Sequence, residues 1–417
     1  MAKILIVAMN YTPELTGCGQ YTGDLGAAMR EKGHEVEVVT APPHYPGWQV
    51  KAPYRNRYST EQFKGATIHR CPVLLRQKMG GIWRLIAPVS FALTSAPKTL
   101  WRALAWRPEV VLVVEPTLFC APVALLAAKA AGARSVLHVQ DLEVDAAFAV
   151  GHLGSAGLLK RLAFAFERAC LAGFDRIVTI SNRMAERLRE KGLSQDKMVV
   201  IRNWVDLDHI RPLPRQTDYR TELGLPQDAY VVLYSGNIGP KQGLDVVVEA
   251  ARILKDDGRI FFAIAGEGPS KAELVTRAEG LPNVRFLPFQ PYERLPAFLG
   301  TCDLHVLPQL ASAGDLVLPS KLGGMLASGR PIIVGAEAGT ELAVFLDGAA
   351  TIVAPEQPQA LADGILECLA AGFGPEAQAR TAALARKLSR PDAMNELEAA
   401  FLSPVTGAAG GDVVPQR

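Results

Sequence analysis

Four glycine-bearing loops along the chain have the makings of anion sites. The first is Thr12-Pro13-Glu14-Leu15-Thr16-Gly17-Cys18-Gly19-Gln20, between an apolar run and a helical stretch. The second, Tyr234-Ser235-Gly236-Asn237-Ile238-Gly239-Pro240-Lys241-Gln242-Gly243, repeats that order later in the chain. The third is Ala265-Gly266-Glu267-Gly268-Pro269, and the fourth carries Pro319-Ser320-Lys321. Glycine lets backbone amides come close to an anion, and a helix start adds the positive end of its dipole. Lys241 and Lys321 each add a full positive charge beside such a loop, as a diphosphate would require. A dinucleotide fingerprint does not fit. The first glycines fall at 17, 19 and 23, and the second apolar run ends in Thr40-Ala41-Pro42-Pro43, without an acidic residue for a ribose.

Carboxylates follow the run Ser135–Val139. Asp141 is the first candidate for positioning or deprotonating a hydroxyl, with Glu143 and Asp145 behind it; the same residues could instead cap the next helix. His44, in Pro42-Pro43-His44-Tyr45-Pro46, stands on a loop and is a candidate ligand contact. Asp206-Leu207-Asp208 spells D-x-D but opens a polar stretch, no histidine pair has metal spacing, and none of the 6 cysteines forms CxxC. No metal site and no disulfide framework are expected.

The elements that must hold these loops alternate. Apolar β-branched runs at Ile4–Ala8, Val36–Thr40, Val110–Val114, Ser135–Val139 and Arg176–Ile180 are separated by helical stretches such as 25–32, 121–131 and 158–171. A second series follows: Tyr230–Ser235, Ile260–Ala265, Val284–Leu287, Leu304–Leu307 and Pro331–Val334. Runs apolar throughout, with helices between them, imply parallel sheets covered on both faces. The expected division is an N-terminal Rossmann-like domain (1–205), a Pro-rich linker (206–228), a C-terminal Rossmann-like domain (229–390), and a terminal helix with a disordered tail (391–417).

These motifs, in this order, resemble a GT-B glycosyltransferase of the large retaining family 4. "SGNIGPKQG", "GEGP", "NVRFLPF" and "PSKLGGMLASGRP" carry the resemblance over roughly residues 1–390. "HVQDLEVDAAF" and the PSK segment look most like colanic-acid-type fucosyltransferases of exopolysaccharide and O-antigen assembly. The resemblance implies an α/β fold of two Rossmann-like domains facing across a deep cleft, and retaining transfer of a sugar, fucose favoured, from a nucleoside-diphosphate sugar, GDP-fucose favoured. The candidate donor residues are Gly17, Gly19, Ser235, Gly236, Asn237, Gln242, Gly266, Gly268, Phe289, Asp315 and Ser320, with Lys241 and Lys321 supplying the diphosphate charge in place of the family's own loop cations. The acceptor side is His44, Gln140, Glu143 and Asp145, next to Asp141. No cofactor or metal is implied. The chain departs from the family where Arg and Lys of a glycine loop become Asn237 and Gln242. It departs again where an active-site His becomes Gln140, and where paired glutamates become Gly324 and a position near Asp315. A nucleotide-sugar 2-epimerase of the same fold and a non-catalytic nucleotide-sugar-binding protein are the alternatives.

The chain is 417 residues long, 49% hydrophobic and 21% charged, with a formal net charge of +2. That composition excludes a disordered chain and a general nucleic-acid binder. The average conceals a patch. Residues 51–108 hold eleven Lys or Arg against Glu61 alone, a local charge of +10, so the remainder is about −8. Trp83, Arg84, Lys98, Trp101, Arg102 and Trp106 interleave rings and cations as in a helix lying in a membrane interface. No run is long and apolar enough to span a bilayer, and the short N-terminal run is too brief for a signal peptide. The expectation is a cytoplasmic enzyme bound peripherally to an anionic inner-membrane surface, acting on a lipid-diphosphate-linked oligosaccharide.

Overall fold

The computed structural model describes residues 1–14, 17–76, 83–142, 144–145, 157–215, 217–226, 228–311 and 318–403. Glu143, Asp315 and the tail after 403 therefore lie outside the described residues. The chain divides into two compact units: Met1–Arg202 with Ala393–Arg417, and Asn203–Asp392.

In the first unit the strands are β1 (Lys3–Val7), β2 (Glu35–Thr40), β3 (Ser59–Phe63), β4 (Ala66–Arg70), β5 (Val110–Glu115), β6 (Arg134–Val139), β7 (Arg176–Thr179) and β8 (Met198–Val200). They form one sheet in the order β3-β4-β2-β1-β5-β6-β7-β8, parallel except for β3. Ile4, Leu5, Ile6, Leu112, Val113, Val136 and Leu137 are fully buried, as runs apolar on both faces require. Each such side chain contributes roughly 1.5–3 kcal/mol. The helices are α1 (Cys18–Glu31), α2 (Trp83–Trp106), α3 (Ala121–Ala131), α4 (Gly157–Gly173) and α5 (Asn182–Glu190). Right-handed crossovers put α1, which leads from β1 to β2, on one face, and α2, α3 and α4 on the other. α2 packs on α3 and α3 on α4.

The second unit is a parallel sheet of β9 (Tyr230–Ser235), β10 (Ile260–Ala265), β11 (Val284–Leu287), β12 (Leu304–Leu307), β13 (Ile332–Gly335) and β14 (Thr351–Val353), in the order β11-β10-β9-β12-β13-β14. Val232, Phe262, Val306 and Ile333 fill one core layer, and Val231, Leu233, Leu307 and Val334 the other. Two Rossmann-like units follow. Among the described residues no helix is long and apolar enough to cross a membrane.

Two expectations about the boundaries need correction. The stretch 206–228 does not run free as a linker but packs within the second unit. Ile210, Tyr219 and Leu225 enter its core, and Val205 pairs with Ser389. Its polarity belongs to Arg215 and Arg220, which clamp Asp303 just before β12; Arg220 is 1% exposed. The terminal helix Arg390–Leu402 does not form a separate appendage. Leu397 and Phe401 are buried in the first unit, Glu398 accepts from Lys32 at 2.8 Å, and the His34 ring meets it at 2.9 Å.

Candidate active site

In an open parallel sheet the strand order reverses at a switch point, and the crevice outside the carboxyl ends there receives ligands. In the first unit the switch lies between β1 and β5, in the second between β9 and β12.

At the second unit's switch, β9 ends in Tyr234 and Ser235 and is followed by Gly236. Lys321, immediately before the helix Leu322–Ala327, donates from Nζ to the Tyr234 hydroxyl at 2.6 Å. That hydroxyl donates in turn to the Asn237 carbonyl at 2.6 Å. The ammonium also sits 4.1 Å from the Tyr234 ring centroid. No carboxylate pairs with it among the described residues, and burial brings its pKa down from 10.5 to about 7. The adjoining loop holds the backbone close: a Cβ on Gly266 would lie 1.8 Å from the Gly236 carbonyl oxygen, and one on Gly268 2.2 Å from that of Ile238. The result is a cradle of backbone around one buried amine. It suits a ligand that supplies the missing negative charge.

The other sequence-predicted donor residues line the same carboxyl edge of the sheet. Asn237 is exposed and Ser235 half-buried. Lys241 is exposed in a single turn at Pro240–Gln242, whose Gln242 side chain accepts from Gly239 N–H at 3.1 Å. Phe289 follows β11 and is 39% exposed, and Ser320 is exposed beside Lys321.

At the first unit's switch the glycines serve the protein's own packing. Gly17 precedes α1 with φ +63°, and Gly19 leaves room for Glu14, whose Oε2 would lie 2.7 Å from a Cβ there. Glu14 is 3% exposed. Its Oε1 accepts from the backbone N–H of His44 at 2.8 Å and of Tyr45 at 2.9 Å, and its Oε2 accepts from Asn10 at 2.9 Å. The side where a Gly19 Cβ would stand is thus filled by a side chain of this chain. Asp141 is exposed just past β6. Burial first, then the charges of Asp141, Glu14 and Glu115, push the Cys18 thiol up to about 12. The start of α1 therefore marks a point where three carboxylates converge.

Two acceptor-side expectations change. His44 is fully buried, with Nδ1 donating to the Pro42 carbonyl at 2.9 Å, so its ring offers no surface; Tyr45 and Trp48, half-buried on the same loop, do. Asp145 is engaged by Arg187 at 3.0 Å and by Lys191, so its charge is already matched. Gln140 is 7% exposed and donates to His138, whose pKa burial lowers to about 4. Neither Glu14 nor Tyr234 stood out as a site residue in the sequence: one lies in a loop and the other ends a strand. Among the described residues no group of His, Cys, Asp or Glu could hold a metal ion.

The basic segment is less free than its count implies. Arg70 is 2% exposed and paired with Glu61, and Arg102 pairs with Glu37 at 2.5 Å. Arg102 and Lys98 each lie 4.8 Å from the Trp101 ring. Trp83 and Trp106 are half-buried, with Arg76 over one and Lys3 over the other; the Arg84 side chain lies outside the described residues. What α2 does expose is an apolar stripe at helical spacing: Leu93 (71% exposed), Pro97, Trp101 (53%) and Leu104 (60%).

Residues 16–204 match the glycosyl transferase 4-like domain family, and residues 215–388 match glycosyl transferases group 1. The chain is 43% identical to the putative colanic acid biosynthesis glycosyl transferase WcaI of Escherichia coli K12, over 88% of this chain and 92% of that protein. Among solved structures it is similar to sucrose-phosphate synthase from Thermosynechococcus elongatus, with a TM-score of 0.73, 17% identity, and coverage of 95% of this chain and 98% of that one. It is also similar to HepE of Anabaena in complex with UDP-glucose, with a TM-score of 0.69, 15% identity, and coverage of 95% and 98%. At such identities these two structures show the fold alone.

Proposed function

The chain belongs to the group 1 glycosyltransferases of family 4, with the GT-B fold, and on that premise we propose that it transfers a sugar from a nucleoside diphosphate to a lipid-diphosphate-linked oligosaccharide in exopolysaccharide or O-antigen assembly, with retained configuration. The observation that carries this reading is the half-buried Lys321 in its backbone cradle, an amine that no carboxylate among the described residues pairs and that a diphosphate would match. As the sugar departs, charge accumulates on the diphosphate. An ammonium fixed there in a dry setting stabilises that charge better than it stabilises the ground state. Lys241, exposed on the neighbouring loop, adds a second cation, so the diphosphate is neutralised by side chains rather than by a metal. Asp141 orients or deprotonates the acceptor hydroxyl.

GDP-fucose is the favoured donor on the likeness of the chain to colanic-acid-type enzymes, and the 43% identity to WcaI supports that setting. A thermal-shift series with GDP, UDP and their sugars tests it. A ligand at 100 times its dissociation constant adds about 2.7 kcal/mol, so the true donor raises Tm clearly. Stabilisation by UDP-sugars alone would overturn the GDP preference. The α2 stripe is the docking face for an anionic membrane, its Trp101 ring bracketed by Lys98 and Arg102. Flotation with phosphatidylglycerol vesicles checks this: a Trp101→Glu/Leu104→Glu variant stays behind, and absence of binding by the unaltered protein ends the idea.

A further inference from the structure

A cavity of about 680 Å³ lies along α4 in the first unit. Its walls are Lys160, Arg161, Leu162, Phe164, Arg168 and Lys191. In sequence α4 carries three cations and one carboxylate, Glu167. The fold separates them. Glu167 is 1% exposed and holds Lys191 at 2.6 Å, whereas Arg161 and Arg168 are exposed, without an ion pair among the described residues. Arg161 and Arg168 stand seven residues apart, two turns along one side of the helix. Lys160 and Lys191 both lie over the Phe164 ring, at 6.0 and 5.3 Å. The one acidic residue at the rim, Glu190, is bonded to Arg187 at 2.8 Å.

The apolar part of the wall continues outward. Leu162 is 58% exposed and Phe166 36%, and Phe166 stacks on Phe119. Leu126 of α3, 56% exposed, stands on the same face of the sheet. Cations at a cavity with an apolar strip leading from it fit a molecule with a multiply charged anionic head and a hydrocarbon tail. A head with only one charge would leave the cations undercompensated, and a free anion would leave the strip bare. The first turn of α4 follows β6, so it lies at the same sheet edge as Asp141.

We propose that this cavity binds an isoprenoid diphosphate, with Arg161, Arg168 and Lys160 on the phosphates and Leu162 and Phe166 on the first isoprene units. The assignment rests on the reading of the acceptor as lipid-diphosphate-linked.

The test uses the full chain in the Lys321→Met background, which removes the donor's own diphosphate site. Farnesyl diphosphate, farnesol and inorganic pyrophosphate are titrated calorimetrically in detergent-free buffer. Farnesyl diphosphate binds at least ten-fold more tightly than either fragment, and Arg161→Glu/Arg168→Glu weakens it more than ten-fold at unchanged Tm. Pyrophosphate binding equally well would make this a plain anion site, and farnesol binding equally well a plain apolar groove. Either result overturns the proposal, as does unchanged affinity in the charge-reversed variant. If the charge reversal lowers Tm, Arg161→Gln/Arg168→Gln replaces it under the same criteria. No vesicle and no sugar transfer enters the experiment, so its failure is distinguishable from failure of the donor, acceptor or membrane readings, which the donor thermal shifts and flotation read separately.

Discussion

At the switch point of the first sheet, the space left by Gly19 is taken by the carboxylate of Glu14, and the charges of Asp141 and Glu115 reach the same helix start. At the switch point of the second, the space beside Gly236 adjoins the ammonium of Lys321, 3.3 Å from where a Cβ would stand. Both edges arise from the same strand reversal and both use glycine for close approach. They differ in sign. The first is acidic, and its Glu14 is already bonded to N–H groups of its own chain. The second is basic and, among the described residues, holds an amine bonded to the Tyr234 phenol and paired with no carboxylate. On the proposed function, like folds divide the work: a negative edge repels a diphosphate and suits a hydroxyl that must lose a proton, and a positive edge does the reverse.

The contrast can be broken at its strongest point first. Lys321→Met should lower transfer by about 10²–10³, with donor affinity lost in the thermal-shift series. An active variant would move the diphosphate elsewhere. The same change should raise the stability of the empty protein. The amine's folded pKa, about 7, lies below its ordinary 10.5, so the unfolded chain binds that proton more readily. Stability is therefore lost as pH falls from about 10.5 to about 7, and the gain in Tm on substitution is largest below pH 7. Next in size, Asp141→Asn should cost about 10² in kcat with donor KM unchanged; full activity would remove Asp141 from the first edge's chemistry. A smaller effect follows from pH. The charged form of Lys321 binds the donor, and the empty site loses its proton above about 7. Donor affinity should thus fall roughly five-fold from pH 7 to pH 8, and the dependence should vanish in Lys321→Arg. The least is Glu14→Gln. It keeps the shape but replaces an acceptor of three N–H bonds by an amide, and should raise acceptor KM a few-fold through the Tyr45–Trp48 loop while leaving donor affinity alone.

Much of this fold was legible because β1, β5, β6, β9 and β10 are buried on both faces and read as unbroken apolar runs. β3, with its exposed Ser59 and Thr60, and the three-residue edge strands β8 and β14 carry no such signal. The supposed linker misled because Arg215 and Arg220 look solvated until Asp303, far along the chain, is brought to them. The same limit applied at the site. Lys321 was readable from its PSK loop and glycine neighbours. Tyr234 and Glu14 were not, since each acquires its role from a contact made by folding: Tyr234 with Lys321, Glu14 with the backbone of His44. His44 read as a loop residue, and burial decided otherwise.

The return of the last helix to the first unit has a consequence for biosynthesis. A ribosome releases the first unit's eight strands before any of the second unit is made. Yet Leu397, Glu398 and Phe401, which pack the first unit around Lys32 and His34, are synthesised only after the whole of the second unit. The first unit is therefore completed only once the second has been made.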